Sequence, residues 1–313
     1  MKKLFIYIFL FSCIFSACDT ENDLEPSGAE RNWLIVEDNP NDPIDHQRYL
    51  IFKDSGIPIY YNDTVGSEQR FSPTKQWYTY YEILQVFYSP GSATPIERNA
   101  NFQLVEVREN ISPVLDFLQT EVLSMIPEEI YVPSILLVDT LNSPSGTVAH
   151  KGLNTIVLSN VRRFASMNDV EKKAYKGAAL RALIASSLVA LESEWLEENF
   201  YELSYATNPD NKSYIYSTAT TGYMVYRAAQ GYPIEEQTLA TLGFIGTRTK
   251  PSAGSAERMW TVPEKYQDVN QYCEAIFAFT EDEFIALHGE KPVVMAKYHV
   301  LRGKIEEYSF TFE

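Results

Sequence analysis

The chain is poor in cysteine, histidine and positive charge, and each shortage removes a class of function. Its 313 residues include 3 cysteines and 4 histidines. Cys13 and Cys18 belong to the N-terminal apolar run, which leaves Cys273 alone in the body of the chain. Neither a disulfide framework nor a cysteine-rich zinc site can be built from that count. Cys273 stands among Tyr272, Ala275, Ile276 and Phe277 and reads as a buried apolar thiol. His46, His150, His288 and His299 fall in separate segments with no pair at metal-ligand spacing, so no metal or other cofactor is expected. Only 26 Lys and Arg face 42 Asp and Glu, a net charge of −16. Such a surface repels phosphate backbones, which argues against a nucleic-acid partner. The sequence has no G-x-S-x-G elbow, P-loop or dinucleotide fingerprint. Glu197-Glu198, Glu235-Glu236 and Glu306-Glu307 are immediate neighbours that diverge around a helix, so spacing offers no acid/base pair.

What is present begins at the N-terminus. Lys2 and Lys3 precede the apolar run Leu4 to Phe15, and Ser16-Ala17-Cys18 follows as a small-small-Cys cleavage site. The run is shorter than the roughly 20 residues of a spanning helix, and its flanks are those of a cleaved signal. The segment resembles a bacterial lipoprotein signal, in which residues 1–17 are removed and Cys18 is acylated. The expectation is therefore a membrane partner reached through an N-terminal lipid, not through a basic patch. Residues 18–45 are acidic, carry three prolines and lack periodicity, as a flexible tether would. Residues 46–313 then read as one domain.

Within that domain Ile57 to Tyr61, Trp77 to Tyr88, Ile135 to Val138 and Thr155 to Val161 read as strands from their aromatic and β-branched content. Ser112 to Ile126 has helical spacing. The most regular segment is Asp169 to Phe200, with Asp169 as expected N-cap and Leu180, Ile184, Leu188, Leu191 and Trp195 as an apolar stripe. A loop-rich stretch from Tyr201 to Ser255 follows, then helices at Tyr266 to Phe279 and Pro292 to Tyr308. The fold class is α+β, a small mixed sheet packed on a long central helix with a mainly helical C-terminal half.

That order resembles the zincin-like lipoproteins of Bacteroidetes, the zinc-binding metallopeptidases or substrate import-associated zinc metallohydrolases. The likeness runs from about Asp45 to Tyr308. It is carried by Asp45-His46-Gln47-Arg48-Tyr49-Leu50 leading into Ile57-Pro58-Ile59-Tyr60-Tyr61, by Leu242-Gly243-Phe244-Ile245, and by Tyr272-Cys273-Glu274-Ala275-Ile276-Phe277. The family carries H-E-F-x-H on its central helix, because histidines at i and i+4 aim at one zinc while the glutamate activates its water. Anchored on Tyr175-Lys176, the resemblance places Leu180, Arg181 and Ile184 where those three residues would stand. Glu274 matches an acidic residue of a downstream family helix. It implies a degenerate, zincin-like member in which these four positions are relics of a metal site. An Arg181–Glu274 ion pair, with the guanidinium in place of the metal's charge, is the corresponding expectation.

Tyrosine is abundant, with 21 residues. Trp77 to Tyr81 reads as sheet packing. Tyr214 and Tyr216, in the polar stretch Asn208 to Thr221, are candidates for a ligand rim with His150, which is placed in a loop at Ala149 to Gly152. Asp63-Thr64 and Asp139-Thr140 resemble the Bacteroidetes O-glycosylation acceptor, making Thr64 and Thr140 candidate sites. The expected function is a non-catalytic outer-membrane lipoprotein accessory to nutrient import, facing periplasm or cell surface. Its partners would be a TonB-dependent import complex and a glycan or peptide. A hydrolase with a relocated site and a purely structural subunit stay open as rivals.

Overall fold

The computed structural model describes residues 31–72, 74, 76–86, 101–143, 146–207, 209, 212, 215–216, 236–246 and 262–312. Cys18 and Tyr214 lie outside them, as do the signal and most of the tether. Contacts group the chain into Met1–Ile35 and Val36–Glu313. In the described part of the first unit the Arg31 guanidinium stacks 4.1 Å over the Trp33 ring, and Asn32 Oδ1 accepts from the Leu34 amide at 2.9 Å.

The second unit begins at Val36 and its first helix at Pro43, within the span read as tether. Helix α1 (Pro43–Ser55) is capped by Asp42, whose carboxylate accepts from the amides of Ile44 and Asp45, with Pro43 in the first turn. Arg48 fixes α1 to strand β1 (Ile59–Tyr60): its Nε donates to the Ile59 carbonyl at 2.6 Å and its Nη1 to Asp45 at 2.8 Å. Next come β2 (Thr64–Phe71) and β3 (Trp77–Ile83), an antiparallel pair standing as its own two-stranded sheet. Trp77, Tyr78 and Tyr81 are exposed on it, so the aromatic cluster does not pack into a core as expected; a two-stranded ribbon has too few neighbours to cover both faces.

The main sheet is mixed, as the α+β reading requires. Strand β4 (Asn101–Leu104) runs antiparallel to β5 (Ile135–Asn142), while β1 and β7 (Ile156–Leu158) run parallel to β5. Strand β6 (Ala149–Lys151) pairs antiparallel with β7 at the sheet's end. His150 is therefore on a strand and not in a loop. Helix α2 (Ile111–Phe117) continues as wider and tighter turns to Met125, over the span expected to be helical.

Helix α3 (Asp169–Leu191) is the centre of the molecule. Asn168, one residue before the expected cap, starts it: its Oδ1 accepts from the Glu171 amide and Glu171 returns a bond to the Asn168 amide, both 3.0 Å. Residues 177–185 are buried on every side, so no polar face interrupts that stretch. The continuous helix ends at Leu191, but after the single break at Glu192 helical turns resume at Ser193 and run through wider turns to Tyr205. The helical span thus reaches Phe200 as expected and extends past Tyr201, where a loop was expected. Glu192 leaves helical geometry, and Tyr308 and Lys304 hold its carboxylate at 2.8 and 3.1 Å. Helix α3 is also the one described helix long and apolar enough to cross a membrane, a composition its burial in the core accounts for.

Helices α4 (Lys265–Ala278), α5 (Glu281–His288) and α6 (Pro292–Glu306) complete the helical half. The short helix α5 is announced by the Thr280–Glu283 capping box. Helix α4 lies against α3 closely enough that a Cβ built on Gly177 would sit 2.4 Å from the Glu274 carbonyl oxygen and 2.9 Å from Ala278 Cβ. Alanine gains about 1 kcal/mol over glycine inside a helix, but the overlap is with backbone that cannot swing away. Gly177→Ala is thus expected to lower stability by about 1–3 kcal/mol, the usual range for overpacking, as read by urea unfolding.

Candidate functional site

Strand β6, helix α3 and helix α4 line a small pocket of about 220 Å³ that is open to solvent on one side. Lys151 comes from β6, Arg181, Ala182, Ala185, Ser186 and Val189 from α3, and Tyr266 and Asn270 from α4. Steps of one, three and four residues from Arg181 to Val189 trace one helix face. Leu180 and Ile184 do not line the pocket, whereas Ala182 and Ala185, members of the same buried core, do. The cavity-facing triplet is therefore Arg181, Ala182 and Ala185, one position along from Leu180, Arg181 and Ile184. The register one position earlier rests on an anchor at Tyr175-Lys176, and burial all round this stretch gives no contrast in the sequence to mark which side is open.

Arg181 is nearly buried and reaches two partners. Its Nη2 donates to the Ala149 carbonyl of β6 at 3.2 Å, and its Nε lies 3.0 Å from Glu274 Oε2 on α4. The Nε–H is not aimed along that line, so the contact with Glu274 is one of charge more than of hydrogen bonding. The structure thus brings Arg181 and Glu274 together. Burial of Glu274 pushes its pKa up, and the Arg181 charge pulls against that shift. Lys151 Nζ donates to Ser187 Oγ at 3.3 Å, and burial lowers its pKa.

His150 is on β6 but does not line the cavity. Burial holds its pKa below the ordinary value, the Arg181 charge lowers it further, and a hydrogen bond with the Val86 backbone opposes both. Unfolded histidine titrates near pH 6.5, so below that pH the unfolded chain takes up a proton that folded His150 resists. Its contribution to stability is full above about pH 6.5 and lost as the pH falls toward the lower folded value. His150→Gln is expected to flatten the acid-side fall of stability relative to the unsubstituted protein, measured by urea midpoints across pH.

The zinc that the family resemblance calls for does not fit these residues. The three positions offer a cation and two methyl groups, and among the described residues no three His, Cys, Asp or Glu side chains converge. His46 sits 2.7 Å from Asp38 and His299 3.7 Å from Glu281, both at exposed positions, while His288 packs on Phe284. Of the candidate glycosylation positions, Thr140 is exposed on β5 and its hydroxyl donates to Gln103; Thr64, at the start of β2, is partly buried.

Tyr216 is away from this cavity, in a second polar cluster that sequence reading missed. Lys297 of α6 and Asp268 of α4 form an ion pair with no exposed side-chain surface on either partner. Tyr216 donates to Asp268 Oδ2 at 2.6 Å, and Lys297 donates to Ser204 Oγ at 3.1 Å. The rings of Phe200, Tyr272 and Phe244 stand 4.3, 5.0 and 5.2 Å from Lys297 Nζ. Gly243, in the Leu242-Gly243-Phe244 turn, has φ +82°, and a Cβ there would meet Lys297 Cδ at 2.9 Å. The Tyr272 hydroxyl donates to its carbonyl at 2.9 Å. The signal was available: Asp268 repeats with Tyr272 and Ile276, and Lys297 with Val294, Leu301 and Ile305, on otherwise apolar helix stripes. Compared with protein-family models, with curated proteins and with solved structures, the chain matches none.

Proposed function

We propose that the protein is a membrane-anchored, non-catalytic relative of the zincin-like metallopeptidase lipoproteins, whose cleft between β6, α3 and α4 binds a peptide or glycan without cutting it. The observation that carries this reading is the seat of Arg181. The family resemblance puts the metal ligands on the central helix, at i and i+4 of one face. Here that face presents Arg181, bridging Glu274 and the Ala149 carbonyl. A guanidinium in that position supplies the positive charge that Glu274 requires and leaves no place for a metal-bound water. On this reading the protein serves nutrient import at the outer membrane, beside a TonB-dependent transporter.

Two experiments test it. Incubated with a mixed peptide library, with and without added zinc, the purified protein is expected to leave every peptide intact; zinc-dependent cleavage would overturn the reading. Cys18→Ala is expected to abolish lipid labelling and move the protein from membrane to soluble fraction in a bacterial host. An anchor unaffected by that change would remove the lipoprotein half of the proposal.

A further inference from the structure

The cluster around Lys297 has the composition of a reaction centre with both reactants built into the chain. We propose that Lys297 and Asp268 condense to an intramolecular amide, a covalent cross-link between α6 and α4. The inference is independent of the function proposed for the Arg181 cleft.

Three observations carry it. First, Nζ and Oδ2 are already in contact, and neither side chain has exposed surface. Fixed contact between reacting groups replaces a bimolecular encounter with an effectively unimolecular one. Second, burial favours uncharged species, against the cation–π contacts that the Phe200, Phe244 and Tyr272 rings make with the ammonium. Among the described residues Asp268 Oδ1 has no hydrogen-bond partner. Burial raises the pKa of Asp268 and lowers that of Lys297, which shifts the pair toward the carboxylic acid and free amine that react. Third, a proton path closes the circuit. Lys297 Nζ is 3.1 Å from Ser204 Oγ, Ser204 Oγ is 3.4 Å from the Tyr216 hydroxyl, and that hydroxyl is 2.6 Å from Oδ2.

The step balances without a co-reactant. From the ion pair, one proton passes from nitrogen to the carboxylate, giving amine and acid. Nζ then bonds to Cγ of Asp268, and its second proton travels through Ser204 and Tyr216 to Oδ2. The Cγ–Oδ2 bond breaks, Oδ2 departs as water, and Oδ1 remains as the amide oxygen. Two protons move, no electrons are exchanged, and the product carries no charge in an apolar box.

Mass spectrometry of the denatured full chain tests this. Set against a Lys297→Met variant from the same host, so that any lipid cancels, the unsubstituted protein is expected to be lighter by one water after correction for the substitution. Protease digestion should yield a branched peptide joining the Asp268 and Lys297 segments. A mass difference equal to the substitution alone, with both segments recovered as linear peptides, would overturn the proposal, and it needs no variant to fold. Tyr216→Phe is expected to leave part of the chain at the uncondensed mass; complete condensation in that variant would overturn the proton path.

Discussion

Lys297→Met is expected to destabilise the protein by about 3–5 kcal/mol, the cost of leaving one member of a buried ion pair without its partner. The substitution keeps most of the side-chain length, so little of the loss comes from a cavity. What remains is Asp268, fully buried, with the Tyr216 hydroxyl as its other hydrogen-bond donor. Adding Asp268→Leu removes that isolated acid and is expected to recover most of the loss, so the double variant should be more stable than either single one. Urea unfolding of the four proteins measures the effect. A Lys297→Met protein within about 1 kcal/mol of the unsubstituted one, the scale of an exposed pair, would show that the pair is not desolvated in solution. The magnitude refers to the uncondensed ion pair, which the amide replaces in a condensed chain.

The second large effect is a gain of function. Arg181→His, Ala182→Glu and Ala185→His together write H-E-x-x-H on the hollow face of α3, at the spacing that aims two imidazoles at one metal. Glu274, which contacts Arg181 in the present chain, is positioned to be the third ligand. The triple variant is expected to bind one zinc ion per chain, and Glu274→Ala added to it should weaken that binding strongly. The same motif written one residue earlier, with Leu180→His, Arg181→Glu and Ile184→His, replaces two large core side chains that do not border the pocket, whereas Ala182 and Ala185 of the same core do, and it should unfold the protein instead. The pair of variants separates the register read from the cavity from the register read from sequence likeness.

How much of this was legible beforehand depends on the kind of signal. The central helix was legible because its apolar spacing persists for more than five turns and no proline enters it. Its ends were less so. The break at Glu192, whose carboxylate meets Lys304 and Tyr308 from far along the chain, has no glycine or proline to announce it, and helical turns resume at Ser193. Strand β6 went unseen because three residues give too short a run for alternation to register. The Arg181–Glu274 contact was reached from family resemblance, yet the helix face that opens on the cavity was not, since small residues surround Arg181 on both sides and periodicity needs contrast. Asp268 and Lys297 belong to no motif, and only their place on apolar stripes marks them as interior.

The central claim is that a guanidinium stands where a zincin-like scaffold would hold its metal. Elemental analysis of the unsubstituted protein, purified without chelator and loaded beside the Arg181→His, Ala182→Glu, Ala185→His variant, measures it most directly. The account predicts zinc far below one ion per chain in the unsubstituted protein and one per chain in the variant; stoichiometric zinc in the unsubstituted protein would contradict it.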